Sequence, residues 1–220
     1  PSLCQNSIHH HKATDNLCFA NVSIHDATPL RELLLLPIAI KGKAQLDLLI
    51  NDLAGELKFT AVAPYIDYED NSIKAITIDC QSQKQGLDLY AGVTLQNEEG
   101  KAVTTNIITQ AEEDKIDFGA VWSSNPTGMF EGSIHTQASF TLDASGKLNT
   151  TIKTDSSHTT LNHSVWELSP FRLDIAPERI LVDGLHFAND TTQYLSIDGT
   201  VAQHGIDTLQ VNFNNLDLGY

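Results

Sequence analysis

The stretch LDLYAGVTL, residues Leu87–Leu95, places an apolar residue at every second position. This period of two is typical of a β-strand with one apolar face, because successive side chains of a strand point to opposite faces. The same period recurs in both directions along the chain, at Leu57–Ala63, Ile76–Cys80, Ile116–Trp122 and Leu209–Phe213. We therefore predict an all-β fold.

Turn-forming residues separate these segments. Clusters of Asn, Asp, Pro and Gly occur at Asn97–Gly100, Asn125–Gly128 and Asp143–Gly146, among other places. Most neighbouring clusters lie about 12 to 17 residues apart, a spacing typical of short strands joined by tight connections. Such connections predict an antiparallel meander, because parallel strands need long crossovers.

The alternation becomes regular from about residue 45. We interpret residues 45–220 as one antiparallel sheet segment of a longer, repeat-like β body, and residues 1–44 as an N-terminal segment of edge strands. Lys43–Leu53 fits either a short helix or a strand, and its alternating leucines favour the strand. The period allows a sandwich, a barrel, or one long bent sheet whose apolar face lines a trough.

The charge excludes several function classes. The 220 residues contain 13 Lys and Arg against 28 Asp and Glu, a net charge of −15. This balance excludes a basic nucleic-acid surface and disfavours docking on anionic lipid headgroups. The longest apolar run, Leu33–Ile40, contains a proline and is far shorter than the roughly 20 residues that span a bilayer. The chain opens on Pro1 with no signal segment, so we interpret it as part of a longer or processed protein.

No motif of an enzyme stands out. The chain has no G-x-S-x-G elbow, no phosphate-binding glycine loop and no H-E-x-x-H pair. A jelly-roll hydrolase that uses Asp67 and Glu69 is the enzymatic alternative, since glycosidases need paired carboxyl groups. Acidic turn residues of an acidic chain are more often solvated, so we expect a protein without enzymatic activity.

Histidines and cysteines do not form a metal motif. The run His9–His11 suggests at most an adventitious metal site. Cys4, Cys18 and Cys80 lack the close C-x₂₋₄-C pair of zinc sites. They are expected to be small buried residues, or one disulfide with a free thiol. We predict no metal and no cofactor.

The last third of the chain carries a resemblance. Four segments follow one another, VWELSP at Val165–Pro170, RILVDGLHF at Arg179–Phe187, QYLSIDGTV at Gln193–Val201 and DTLQVNFNNLDL at Asp207–Leu218. This ordered set resembles the TamB family (translocation and assembly module) of bacterial envelope proteins in its Bacteroidetes form. The resemblance covers about 55 residues, and the earlier alternating strands fit the family more loosely.

The resemblance implies a fold and a role. TamB relatives carry an N-terminal membrane anchor and a long periplasmic body, an elongated antiparallel sheet curled into an open U-shaped trough, the β-taco. The implied function is an apolar trough for phospholipid transport between the inner and outer membranes, together with outer-membrane protein assembly by a TamA-type barrel partner. This chain, without the anchor, would be an internal or C-terminal-half periplasmic segment. The family has no catalytic residues to transfer.

Eight apolar residues of two predicted strands are the candidate contacts for phospholipid acyl chains: Leu87, Leu89, Ala91, Val93, Leu95, Phe118, Ala120 and Trp122. Trp166 is expected to pack on the sheet. Unpaired edge strands predict self-association of the isolated segment. The alternative is a β-sandwich binding or adhesion module, whose apolar residues would form a closed core.

Overall fold

The structure, a computed structural model, describes residues 16–25, 32, 38–40, 42–68, 71–83, 86–97, 99–190 and 192–215. These residues contain 16 strands: β1 Leu17–Ile24, β2 Ile38–Ile40, β3 Ala44–Asn51, β4 Glu56–Tyr68, β5 Asn71–Gln83, β6 Gly86–Asn97, β7 Ala102–Glu112, β8 Lys115–Asn125, β9 Phe130–Leu142, β10 Leu148–Thr154, β11 Ser157–Leu161, β12 Ser164–Leu168, β13 Phe171–Ala176, β14 Arg179–Ala188, β15 Tyr194–Ala202 and β16 Gln210–Asn214. All belong to one antiparallel sheet, which confirms the all-β prediction. The segment that fitted either helix or strand forms β3.

The chain divides into two compact units. Of the described residues, the first unit holds those up to Gln110 together with Trp122–Pro126. The second unit holds Ala111–Val121 and the residues from Thr127 onward. Each unit is described separately below.

The first unit is a meander, as predicted. Its strands pair in the order β1, β3, β4, β5, β6 and β7, and the short β2 pairs with the end of β4. β1 pairs with β3 along its whole length, from Leu17 opposite Asn51 to Ile24 opposite Ala44.

The second unit departs from a simple meander. β10 and β13 have only 7 and 6 residues, whereas β9 and β14 have 13 and 10. The hairpin of β11 and β12 occupies the space beyond the two short strands, where it pairs with Phe130–Gly132 of β9 and with Phe187 and Ala188 of β14. The meander prediction is therefore wrong at this hairpin, because the polar sequence of β11 gives no alternation that marks it as a strand.

One β-bulge in each unit shifts the alternation by one residue. Between β5 and β6 the register slips between Lys74 and Thr77, where Ala75 has a φ of 50°. Between β14 and β15 it slips between Val182 and Leu185, where Gly184 has a φ of 74°. An extra residue in one strand changes which of its later side chains face each side of the sheet. The apolar positions of β5 and β14 change phase at these points, so both strands keep their apolar residues on one face.

The apolar faces of the sheet are not enclosed. Among the described hydrophobic residues only Ala63, Ala120 and Trp166 are buried. A β-sandwich buries the inward residues of both its sheets. The exposure therefore does not fit the closed core that the sandwich alternative requires.

Trp166 is the best-packed side chain of the second unit. It is 1% exposed, and its ring stacks on Phe187 with centroids 5.0 Å apart and planes at 20°. β12 brings the two rings together, because Leu168 lies directly opposite Phe187. This contact confirms the expectation that Trp166 packs on the sheet.

We expect Trp166→Ala to lower the free energy of unfolding by about 3 to 5 kcal/mol, because it removes the stacked ring and leaves a cavity. Urea unfolding followed by circular dichroism measures the change. The control is Val165→Ala on the other side of the same strand, where the side chain is 50% exposed. That change is expected to cost less than about 1 kcal/mol. A similarly small loss for Trp166→Ala would contradict the packing described.

Gly199 of β15 has no room for a side chain. Its φ is +117°, and an added Cβ would lie 2.3 Å from the carbonyl oxygen of Thr208. We expect Gly199→Ala to lower the free energy of unfolding by about 3 kcal/mol, from backbone strain and the clash together. Gly146 also has a positive φ, +80°, but its Cβ would meet nothing within 4 Å. Gly146→Ala is therefore expected to cost only about 1 kcal/mol, and equal losses for the two variants would refute the clash.

Candidate functional site

One side of the sheet in the first unit carries an uncharged apolar face. Directly paired residues of neighbouring strands point to the same face of a sheet. The pairings of β1, β3, β4, β5 and β6 produce two continuous cross-strand rows: Ala20, Leu48, Phe59, Cys80 and Leu89, and Val22, Leu46, Ala61, Ile78 and Ala91. We call these ten residues the first apolar face. None of them is buried, so the face remains accessible.

On the other side of the same strands, the central row is polar. The row between the two apolar rows consists of Asn21, Asp47, Thr60, Asp79 and Tyr90. Side-chain hydrogen bonds connect neighbouring strands on this side, from Asn21 to Asp47 and from Tyr90 Oη to Asn106 Oδ1 at 2.9 Å. The rows beside this polar row also hold exposed apolar residues, Phe19 at 72% and Val62 at 47%.

The bulge at Ala75 extends the apolar face toward the far ends of the strands. Beyond it Leu95 lies opposite Ile73, Ile73 opposite Ile66, and Ile66 opposite Ile40. Because Leu95 alternates in phase with Leu89 and Ala91, this row continues the first apolar face. Without the extra residue of β5, Ile73 would point to the polar side.

The structure brings five of the eight candidate lipid-facing residues together. Leu87, Leu89, Ala91, Val93 and Leu95 alternate along β6, in phase with the first apolar face. Leu87 pairs with Ser82 at one end, Val93 lies opposite the bulge, and Leu95 is exposed. The other three candidates lie on β8. Phe118 and Ala120 belong to the second unit, and Trp122 belongs to the first.

The second unit carries a similar surface. One cross-strand row consists of Ala138, Ile152, Leu173 and Val182, and the next of Phe140, Thr150, Ile175, Ile180 and Val201. We call these nine residues the second apolar face. Three neighbours in the outer row are the most exposed, Ile175 at 38%, Ile180 at 42% and Val201 at 40%. A solvated apolar row of this kind is a site for an apolar partner.

Two of the β8 candidates lie on the side of this second face. Gln137 of β9 donates to both carboxylate oxygens of Asp117, at 3.3 Å each, so those side chains share the polar side. Alternation then places Phe118 and Ala120 on the side of Ala138. Ala120 is buried and Phe118 half-buried. Trp122 alternates with them along β8, is half-buried and belongs to the first unit.

Sequence reasoning missed most of the residues of both apolar faces. The candidates came from two strands, whereas the pairing adds Leu48, Phe59 and Ile78 to the first face and the exposed row of β13, β14 and β15 to the second. The alternation of apolar residues was visible in the sequence of these strands. The sequence did not show which strands are neighbours in the sheet, and the neighbours decide which residues form one surface.

A polar cluster in the second unit surrounds His135. Its Nδ1 lies 2.6 Å from Asp155 Oδ2 and its Nε2 lies 3.5 Å from Asp117 Oδ1. The hydrogen bond that His135 donates to Asp155 raises the pKa of His135, and the charges of both carboxylates act in the same direction. The three side chains are exposed, so the cluster is a solvated ion-pair group on the polar side of the sheet.

Other candidate chemical groups are placed as follows. Ser72 Oγ lies 2.7 Å from Tyr65 Oη and donates to Asp67 Oδ1 at 3.2 Å. Glu69, which the hydrolase alternative pairs with Asp67, lies outside the described residues. Within the described ranges no three His, Cys, Asp or Glu side chains form a possible metal site. The run His9–His11 lies outside those ranges.

The two described cysteines are free thiols. Cys18 is exposed on β1, so the expectation of burial is wrong for this residue, because among the described strands β1 pairs only with β3. Cys80 is half-buried on the first apolar face, where burial and then the charge of Asp79 raise the pKa of its thiol. Cys4 lies outside the described residues.

No protein-family model, no curated protein and no solved structure matches the chain. In the part of the chain that is described, no helix has the length and hydropathy of a membrane span.

We expect NMR titration of the histidines to give His135 a pKa above the usual 6.5, and Asp155→Asn to lower it. A pKa raised by folding means that the ion pair stabilises the protein below the unfolded-state pKa, and that this contribution is lost as the pH rises through the folded-state value. Asp117→Asn serves as the matched control and is expected to change the pKa less, since its oxygen lies farther from the ring. A pKa that does not respond to Asp155→Asn would rule out the contact as its cause.

Proposed function

We propose that the two apolar faces bind phospholipid acyl chains, and that the chain is a non-enzymatic segment of a TamB-like envelope protein. In this proposal it lies in the periplasm and contributes to phospholipid transport between the inner and outer membranes. Assembly of outer-membrane proteins with a TamA-type barrel is the further role that the resemblance suggests. The observation that carries the proposal is the pair of uncharged apolar faces, one in each unit, whose residues are mostly half-buried and not enclosed.

The energetics favour an acyl chain as the occupant. Exposing an acyl chain to water costs about 0.8 kcal/mol per CH₂, or about 12 kcal/mol for a sixteen-carbon chain. Contact with an apolar row such as Phe59, Cys80 and Leu89 removes part of that cost. The binding needs no specific polar contact, because dispersion and the hydrophobic effect are non-directional. A headgroup stays hydrated at the end of such a row.

The other functions make different demands. A hydrolase needs a pair of carboxyl groups at a cleft, with at least one raised pKa. Among the described residues no resolved shift raises a carboxyl pKa. Hydrogen bonds from neighbouring groups lower the pKa values of Asp143 and Asp190, and at Asp174 burial raises the pKa but hydrogen bonds from Thr151 and Arg172 and the nearby positive charges outweigh it. An adhesion module needs aromatic side chains on exposed loops, whereas Trp166 is enclosed by the sheet.

The first test is lipid retention. We expect phospholipid to co-purify with the wild-type chain and to be identified by mass spectrometry after extraction in organic solvent. Leu89→Asp places a charge on the first apolar face, beside Cys80, and is expected to reduce the retained lipid at least about fivefold, since burying a carboxylate against an acyl chain is strongly unfavourable. Both proteins must give the same circular dichroism spectrum.

The matched control is Gln81→Glu. Gln81 lies on the neighbouring β5, directly opposite Asp88 and Lys58 on the polar side. This variant adds the same charge at nearly the same place, but on the other side of the sheet, so retention is expected to equal that of wild type. Equal loss in both variants, or retention unaffected by Leu89→Asp, would count against acyl-chain binding at the first apolar face.

Cys80 provides a direct reporter of occupancy. In a Cys4→Ser, Cys18→Ser background it is the remaining thiol, and it lies between Phe59 and Leu89. We expect dioleoylphosphatidylcholine vesicles to slow its alkylation by a maleimide at least about threefold, because a bound acyl chain covers the sulfur. Labelling of Ser23→Cys, an exposed position on the other side of β1, in a Cys4→Ser, Cys18→Ser, Cys80→Ser background controls for loss of reagent to the vesicles. Equal slowing at the two thiols would contradict binding over Cys80.

A further inference from the structure

We propose that β16 is a docking edge for a second copy of this chain, and that the two β16 strands pair antiparallel about a two-fold axis at Val211. This inference specifies the edge, the partner and the register of the self-association that unpaired edge strands predict. It does not depend on lipid binding, because it follows from the backbone and the side chains around β16.

β16 lacks the features that normally protect the edge of a sheet. Among the described strands it pairs only with β15, and that pairing contains no bulge. All five of its residues, QVNFN, are exposed, and none of them is charged or a proline. Natural edge strands usually carry a charge, a proline or a bulge that prevents pairing with another chain. The edge of β16 is therefore open to a further strand.

The backbone groups of every second residue of β16 point toward this open edge. In an antiparallel pair, directly opposite residues alternate between those that exchange hydrogen bonds and those that do not. The amide of Thr208 donates to the carbonyl oxygen of Thr200 at 2.8 Å, in the register of the β15–β16 ladder, so the even-numbered residues of β16 bond to β15. The amide and carbonyl groups of Val211 and Phe213 therefore point away from β15.

The side chains of the same two residues continue the second apolar face to the edge. Val211 lies directly opposite Ile197 and Phe213 opposite Leu195. Ile197 and Leu195 alternate along β15 in phase with Val201, a member of that face. Val211 is 50% and Phe213 70% exposed. The other side of β16 is polar, with Gln210, Asn212 and Asn214.

This segment is complementary to itself. With the two-fold axis at Val211, the two copies of Val211 lie opposite each other, Leu209 lies opposite the partner's Phe213, and Gln210 lies opposite the partner's Asn212. Apolar residues thus meet apolar ones and amides meet amides, with no charge at any paired position. A shift by one residue would set the apolar side against the polar side. A shift by two would leave Leu209 opposite an asparagine.

The edge of β1 is less suited to the same pairing. Among the described strands β1 pairs only with β3, and the amide of Asp52 donates to the carbonyl oxygen of Asn16 at 3.1 Å. The odd-numbered residues of β1 therefore face its open edge. Pairing β1 with itself over its length places Phe19 opposite Asn21 or Ser23, so an apolar side chain meets a polar one. The self-complementary pattern thus favours β16.

Sedimentation equilibrium of the whole chain tests the association. Each copy has a net charge of −15, so the measurement is made at roughly 200 mM salt, where repulsion between the copies is largely screened. A five-residue edge is a small interface, so weak binding is expected, and the concentration runs from about 10 µM to about 1 mM. We expect the mass to rise from one copy to two and to stop there, because a two-fold contact uses the edge of both copies. A single-copy mass throughout, or a mass that rises beyond two copies, would overturn the proposal.

Two variants locate the contact. Val211→Pro removes an amide that points to the open edge, so the isolated chain loses no ladder hydrogen bond, and we expect the dissociation constant to rise at least about tenfold. Ile180→Asp places a charge on the second apolar face, on β14, two strands from β16, and is expected to dimerise as wild type does. Both variants must keep the circular dichroism spectrum of wild type. Dimerisation that survives Val211→Pro and is lost in Ile180→Asp would assign the contact to the apolar face and overturn the docking edge.

Disulfide trapping tests the register in a Cys4→Ser, Cys18→Ser, Cys80→Ser background. Two copies of Val211→Cys would lie directly opposite each other, with Cα atoms about 5.5 Å apart, within the range of a disulfide. We expect diamide to link them into a covalent dimer. Two copies of Asn212→Cys would lie diagonally, with Cα atoms about 8 Å apart and beyond that range, so this matched control is expected to stay unlinked. Faster linking of Asn212→Cys than of Val211→Cys would overturn the register.

Discussion

The constraint on which the structure depends is that directly paired residues on neighbouring strands share one face of the sheet. Alternation within a strand divides its side chains into two sets, and pairing joins those sets across strands. Rows such as Ala20, Leu48, Phe59, Cys80 and Leu89 therefore remain apolar over five strands. A slip of one residue in any strand would mix the two faces. The bulges at Ala75 and Gly184 follow from the same constraint, since each corrects a strand whose apolar positions change phase.

A sheet of this kind satisfies its backbone hydrogen bonds without enclosing its apolar side chains. The ladders and the side-chain bonds of the polar face, such as that between Tyr90 and Asn106, stabilise each unit. Trp166 and Phe187 supply a tightly packed contact. Folding leaves part of the apolar surface of Ile175, Ile180 and Val201 in water, since these side chains remain about two-fifths exposed. An apolar partner that covers these side chains would remove this surface from water, and the resulting hydrophobic stabilisation is the physical basis of the proposed lipid binding.

Prediction from sequence succeeded where one strand alone carries the signal. The alternation of Leu87–Leu95 located β6 and assigned its apolar side. It failed for β7, and for β11, where Leu161 is the one apolar residue of SHTTL, because neither strand alternates apolar and polar residues. It also chose too few residues for the candidate site. Phe59 and Ile78 were recognised as strand residues, but nothing in the sequence indicated that they join Leu89 and Ala91 in one surface.

The sequence by itself determined the class of fold, the strand faces and the acidic charge, because alternation, turn chemistry and net charge are local or additive properties. It also determined that Trp166 belongs in the sheet, as a large apolar side chain at a strand position. Only the tertiary structure decided which strands pair, where the β11–β12 hairpin inserts, and where the two bulges lie. Register depends on hydrogen bonds between residues distant in the chain, and the two apolar faces exist only once those bonds are formed.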